Sequence, residues 1–203
     1  LLHTSLSPSA QALIGELQLP DILGVKVEYV KSVLTSFKEA QERCVVFCYS
    51  NALVHDMATA FAAEGITSVL FTGAESQKQR DAAVAQFNDP DAPVTAFLAT
   101  DAAAEGLNLG RCCSTLIQMD MPFTTKTIIQ RVNRIHRIDG VAESYQVLNL
   151  VIEDTVEDAM LEIIAKKTRM VGSIFKGVSM EATTGTESSE EDKFFGSLAT
   201  MSL

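Results

Sequence analysis

Gln130, Arg134 and Arg137 stand at i, i+4 and i+7, so a helix through them carries three long polar side chains on one face. That spacing normally belongs to a buried apolar stripe, and three polar side chains on it need a reason. Phosphoryl transfer supplies one, because charge spreads over the γ-phosphoryl oxygens and a cation must meet it; an arginine in that role is worth about 10³–10⁵ in rate. Between Met121 and Ile138 the basic residues are Lys126, Arg131, Arg134 and Arg137 and no residue is acidic, although the chain carries a formal charge of −10. A solvated basic helix face accounts for the same composition and is the simpler reading of it. The motifs around this segment reverse that preference.

Those side chains need elements to hold them. From Val25 to Glu39, apolar Val27, Val30, Val33, Leu34 and Phe37 recur at helical spacing. Cys44 to Tyr49 is a continuous β-prone run that predicts a strand covered on both sides. Ser50 or Asn51 then caps a helix whose Leu53, Met57, Ala60 and Phe61 share a face until Gly65 ends it. A strand over 67–71 leads to Gly73 and to a helix over 76–88 with Ala82, Ala83, Val84 and Phe87 inward. Strands follow at 94–100, 114–120 and 144–150, with helices at 124–137 and from 155 to about 175. Alternating strands and helices predict an α/β fold with a mainly parallel sheet, helices on both faces and a C-terminal helix. Ligands of such sheets gather beyond the carboxyl ends of the strands, here 49–51, Gly73, 100–108, 120–123 and Asp139.

With those positions set out, a resemblance emerges. Gln130…Arg134…Arg137 resembles motif VI of superfamily-two helicases, and with His136 and Ile138 it is most similar to the QxxxRxHRIGQ of Swi/Snf-type DNA translocases. Ala99-Thr100-Asp101-Ala102-Ala103-Ala104-Glu105-Gly106-Leu107-Asn108-Leu109 resembles their motif V, STxAGGxGLNL, and Val45 to Ser50 their motif IV. Gly73, Arg80 and Phe87-Asn88 match the family's G…R…FN run. Asp120-Met121-Pro122-Phe123 sits where the family has Asp followed by an aromatic, and Thr155-Val156-Glu157-Asp158 resembles its TxEE. The matches run in order from about Val25 to Val171.

The resemblance implies a RecA-like three-layer sandwich acting as the C-terminal lobe of an ATP-dependent motor on nucleic acid, double-stranded DNA foremost. By that resemblance Arg134 and Arg137 reach the γ-phosphate across a cleft and Gln130 orients the site. Gly106, Asn108 and Asp101 lie on the nucleotide side, while Ser50, Asn51, Gly73, Thr100 and Arg80 contact the strand backbone. Contacts of that kind position a protein without reading sequence. His136 is read equally well as part of the motif or as a packed core histidine. Three departures stand out: Asp139-Gly140 replaces Gly-Gln, Ala103 and Ala104 replace two glycines beside the cleft, and Phe123-Thr124-Thr125 replaces Trp-Asn-Pro. They leave a non-hydrolysing scaffold as an alternative, and Asp101 leaves an RNA helicase lobe as another.

No G-x-x-x-x-G-K-[ST] occurs, nor an Asp-Glu-x-His or Asp-Glu-x-Asp run, so ATP and Mg²⁺ are expected to be held mainly by an N-terminal lobe of the same protein, and this chain alone is expected to be inactive. The 203 residues divide into a leading segment over 1–24, the lobe over 25–176, and an acidic, flexible tail over 177–203 whose Phe194, Phe195, Leu198 and Met201 could dock onto a partner or the fold. The charge argues against general coating of nucleic acid but not against a local basic strip. Cys44, Cys48, Cys112 and Cys113 lack zinc-site spacing and read as reduced thiols of an intracellular protein, nuclear if eukaryotic. No apolar run approaches the roughly 20 residues of a membrane span.

Overall fold

The computed structural model describes residues 22–103, 107–136 and 144–152, together with 155–157, 159, 160, 163, 164, 166 and 198–202. Six parallel strands form one sheet: β1 (Cys44–Phe47), β2 (Ser68–Phe71), β3 (Ala96–Ala99), β4 (Thr115–Gln118), β5 (Gln146–Val151) and β6 (Leu198–Ser202). Their order is β2-β3-β1-β4-β5-β6. Every residue of β1, β3 and β4 is buried, as the apolar runs of β1 and β3 require when helices cover both faces.

The two-residue period of the strands sorts their side chains into two cores. Val46, Leu98 and Ile117 face one way and meet helices α1 (Ile22–Ala40) and α2 (Asn51–Ala63) through Val27, Val30, Leu34, Val54, Met57 and Phe61. Phe47, Phe97 and Leu116 face the other way, against α3 (Gln77–Asn88) and α4 (Thr125–Val132) through Ala83, Phe87, Ile128 and Val132. There Phe97 stacks edge-on to Phe87 at 5.1 Å, and burial of each ring contributes about 1.5–3 kcal/mol. The result is the expected three-layer α/β sandwich.

The helix starts follow local chemistry. Ser50 caps α2 by accepting the Leu53 N–H, and Gly65 ends it at φ +68°, where a side chain would be strained. Ser76 and Gln79 exchange hydrogen bonds in a capping box at the start of α3. Ala82, expected to point inward, is exposed, because the buried stripe of α3 is the narrower pair Ala83 and Phe87.

A second expectation is overturned. The helix through Gln130 ends at Val132 and does not run to residue 137. Asn133, Arg134 and Ile135 form a tight turn in which the Arg134 and Ile135 N–H groups bond to carbonyls three residues back. The Arg134 carbonyl then accepts the Leu109 N–H at 2.8 Å, a tertiary partner in place of the next helical turn. The final strand comes from the end of the expected tail, with Leu198 opposite Val147 and Ser202 opposite Val151. Residues 1–21 and 167–197, and with them the C-terminal part of the predicted last helix, lie outside the described residues.

Candidate functional site

β1 and β4 are hydrogen-bonded neighbours, yet the chain leaves β1 toward β2 on one side and leaves β4 toward β5 on the other. Parallel sheets bind their ligands beyond the carboxyl ends of the strands at such a reversal. Tyr49 to Asn51 follow β1, Thr100 to Ala103 follow β3, Met119 to Phe123 follow β4, and α4 closes the group.

Its centre is Arg131, which motif reasoning counted among the basic residues but gave no role. The side chain is only 1% exposed and donates to five acceptors. Nε and an Nη reach the two Asp101 carboxylate oxygens at 2.7 and 3.2 Å, and the same Nη reaches Asp120 Oδ1 at 3.1 Å. The other Nη donates to Gln118 Oε1 at 3.2 Å and to the Asp120 carbonyl at 3.4 Å. The guanidinium also lies 5.2 Å from the Phe47 ring centroid. Burial opposes its charge, but Asp101 and Asp120 outweigh this and hold its pKa above the ordinary value. Asp120 accepts the Tyr49 N–H as well, and Gln118 passes the network to Asn149 at 2.7 Å. One cation thus ties together the carboxyl ends of β1, β3 and β4. The available signal was an arginine on the buried face of α4 with acidic residues just after β3 and β4.

Arg134 occupies the adjoining rim and is 9% exposed. Its Nε donates to the Gln130 carbonyl at 3.0 Å and an Nη to the Leu107 carbonyl at 3.1 Å. With the Leu109–Arg134 backbone bond, this fastens the two segments that resemble motifs V and VI to each other. Asn108 belongs to the same joint: its carbonyl accepts from Asn88 Nδ2 at 3.0 Å, and its side-chain oxygen takes the Gly110 N–H. Gly110 is obligatory there, because an added Cβ would overlap the Ile135 carbonyl. Asp101, expected beside the nucleotide, is engaged with Arg131. The Ala103 methyl, expected to add bulk beside the cleft, is instead fully buried in the core with Leu109 and Ile128. Gly106, Arg137, Ala104 and Asp139 lie outside the described residues.

Of the residues expected to contact a strand, Asn51 and Gly73 come together: a Cβ on Gly73 would lie 3.7 Å from Asn51 Nδ2. Ser50 is next to them, with its hydroxyl oxygen used as the α2 cap. Thr100 is buried and its N–H donates to the Phe71 carbonyl. Arg80 lies over the Phe71 ring at 5.6 Å, its Nε donating to the Glu75 carbonyl at 3.0 Å. His136 packs edge-on to Tyr145 with centroids 5.0 Å apart.

Beneath the site, Lys26 is buried and spends its ammonium on the Met119 and Leu150 carbonyls, both at 2.8 Å, and on the Glu157 carboxylate at 2.6 Å. Met119 directly precedes Asp120, so Lys26 steadies the site from below. Cys44, Cys48 and Cys113 are buried free thiols. Burial pushes Cys44 well above the usual thiol value, and Cys48 and Cys113 up to about 12.

The arrangement bears on ATP and Mg²⁺ differently. A guanidinium and an amide side chain at the rim, Arg134 and Gln130, suit the oxygens of a polyphosphate. Among the described residues no three His, Cys, Asp or Glu side chains converge, and Asp101 and Asp120 already serve Arg131.

Comparisons with known proteins agree with this geometry. The family described as "Helicase conserved C-terminal domain" matches residues 25–139, more than half of the chain. The chain is 31% identical over 134 residues to "DNA repair protein rad8" of Schizosaccharomyces pombe, covering 66% of this chain and 12% of that protein. It is 26% identical over 166 residues to "Nuclear protein STH1/NPS1" of Saccharomyces cerevisiae, covering 81% and 12%. Among solved structures it is similar to the C-terminal part of the Fun30 ATPase domain, with a TM-score of 0.62 and 18% identity over 68% of this chain and 44% of that one. The chain therefore spans only a small part of the length of its curated relatives. A RecA-like sheet, a motif V–VI joint at its carboxyl edge and the family match lead to one conclusion: this chain belongs to the helicase conserved C-terminal domain family, with Swi/Snf-type ATPases among its relatives.

Proposed function

We propose that this chain is the C-terminal motor lobe of an ATP-dependent translocase on double-stranded DNA. It would complete an ATP site shared with an N-terminal lobe of the same protein. The observation that carries this reading is the joint at the rim, where Arg134 binds the Leu107 carbonyl and Leu109 binds the Arg134 carbonyl. A residue that answers to phosphate charge is thereby mechanically continuous with the loop leading to the strand-contact surface.

ATP hydrolysis supplies the free energy; the contribution of this lobe is positioning and charge. Arg134 and Arg137 would meet the γ-phosphoryl charge as the lobes close, with Gln130 orienting them. Asn108 and Gly106 would relay closure to Ser50, Asn51, Gly73, Thr100 and Arg80 on the strand backbone. Stepping would follow from opening and closing about the lobe interface as a hinge. A lobe of this kind acts only as part of the pair, so the isolated chain is expected not to turn over ATP. The nuclear setting of STH1/NPS1 is consistent with a nuclear location in a eukaryote.

The test is nucleic-acid-stimulated ATP hydrolysis by the full-length natural protein, compared on duplex DNA, single-stranded DNA and RNA. Arg137→Ala is expected to lower the stimulated rate by about 10³–10⁵ while leaving duplex binding near wild type. Turnover unchanged by that substitution removes Arg137 from the reaction, and stimulation by RNA alone removes duplex DNA as the track.

A further inference from the structure

His55 on α2 and Glu75 between β2 and α3 belong to none of the motifs, yet they stand beside Asn51 and Gly73. The Glu75 side chain is only 10% exposed, deep for a carboxylate on a face proposed to meet a polyanion. One of its oxygens accepts the Thr72 N–H at 2.5 Å, and the other lies 3.2 Å from His55 Nε2. The Thr72 hydroxyl in turn accepts the Ala74 N–H at 3.1 Å. From α3, Arg80 holds the Glu75 carbonyl, and an Nη approaches the Gly73 carbonyl at 3.5 Å. Both neighbours of Gly73 are thus fixed through side chains, and the glycine itself is left exposed next to Asn51.

A buried carboxylate costs free energy unless it is hydrogen-bonded and paired, and this one is both. Burial works against ionisation, but the Thr72 hydroxyl and N–H, together with His55, hold its carboxyl below the usual range. It is therefore charged at neutral pH. A negative charge in this place repels phosphate, so attraction does not explain it. What it does is shape the turn. The facing groups are His55 from α2, Thr72 from the end of β2 and Arg80 from α3.

We propose that Glu75 is a positioning residue: its carboxylate, braced by His55, holds the turn from Thr72 to Ser76 in the shape that presents Gly73 beside Asn51 to a nucleic-acid backbone. The proposal rests on the reading that Asn51 and Gly73 form part of the strand-contact surface. It makes a prediction opposite in sign to simple electrostatics, in which removing a carboxylate from a phosphate-facing surface tightens binding.

The experiment measures the affinity of the full-length protein for a fluorescently labelled DNA duplex and, in parallel, the duplex concentration that gives half-maximal ATPase stimulation. Glu75→Ala is expected to weaken binding about tenfold, the upper end of what one fixed hydrogen bond contributes, and to raise the half-stimulating concentration alike. The rate at saturating duplex should stay near wild type. Glu75→Gln, neutral but still able to accept the Thr72 N–H, should recover most of the affinity without exceeding wild type. Unchanged or tighter binding by Glu75→Ala overturns the proposal; should that variant fail to fold, Glu75→Gln decides alone, because binding tighter than wild type would leave the electrostatic account in place of the positioning one. Asn51→Ala separates the two levels. If it weakens binding and the Glu75 variants do not, only the positioning role falls; if Asn51→Ala has no effect either, the contact surface itself is misassigned.

Discussion

Replacing Arg131 with methionine removes the charge at the centre of the site while keeping most of the apolar stem. The wild-type guanidinium is 1% exposed and uses its donors on Asp101, Asp120 and Gln118. Deleting one partner of a buried ion pair costs about 3–5 kcal/mol, because the remaining charge is left uncompensated. Here the remaining carboxylates can hydrate, Asp101 being 47% and Asp120 27% exposed, so the low end applies, about 3 kcal/mol. For a domain of this size, each kcal/mol shifts the melting point by about 2–4 °C, so Arg131→Met should melt roughly 6–12 °C lower. Circular dichroism melts of wild type, Arg131→Met, Asp101→Asn and the double variant form a cycle. The double variant should be less destabilised than the sum of the singles by at least about 1 kcal/mol, as expected for residues in direct contact. A shift for Arg131→Met below about 2 °C, or strict additivity with Asp101→Asn, refutes the view that this cation holds the strand ends together. Arg131→Lys should restore little of the loss, since an ammonium cannot serve two carboxylates and an amide in that planar arrangement.

Two further outcomes follow from the buried ionisable groups. Lys26→Met should destabilise by about 3 kcal/mol and Glu157→Gln by less, because losing the ammonium takes a donor from the Met119 and Leu150 carbonyls and leaves the Glu157 carboxylate with the Ile152 N–H but no countercharge, whereas the glutamine can still hydrogen-bond; equal losses in urea unfolding would contradict this ordering. Alkylation of the folded protein at pH 8 should modify Cys112 first and leave Cys44, Cys48 and Cys113 unmodified until unfolding, since a thiol raised to about 12 holds only about 10⁻⁴ of its population as thiolate at that pH. Labelling of Cys48 as fast as Cys112, read by peptide mass spectrometry, would count against the burial described.

The amino-acid sequence by itself determined the architecture, because short-range physics writes it plainly. Continuous apolar runs at Cys44–Phe47 and Ala96–Ala99 suit strands buried on both faces of a parallel sheet. Ser50, one of the two caps the sequence offered, starts its helix by satisfying an otherwise orphaned N–H, and the helix starts expected at 76 and 124 fall on the caps Ser76 and Thr124. Topology likewise placed Asn51, Gly73 and Asn108 beyond the carboxyl ends of the strands, and the motif order singled out Gln130 and Arg134. Tertiary structure decided what periodicity cannot carry. The helix bearing Gln130 stops at Val132 because the Arg134 carbonyl finds Leu109, a residue 25 positions away in sequence, in place of its helical partner. Arg131 becomes the hub because strand order brings Asp101 and Asp120, separated in the chain by a whole strand, onto one guanidinium. Glu75 and His55 meet only because β2 and α2 pack side by side. In each case the deciding partner lies far away along the chain. Local patterns therefore name the elements and some of the site, while the packing of those elements assigns the charges their work.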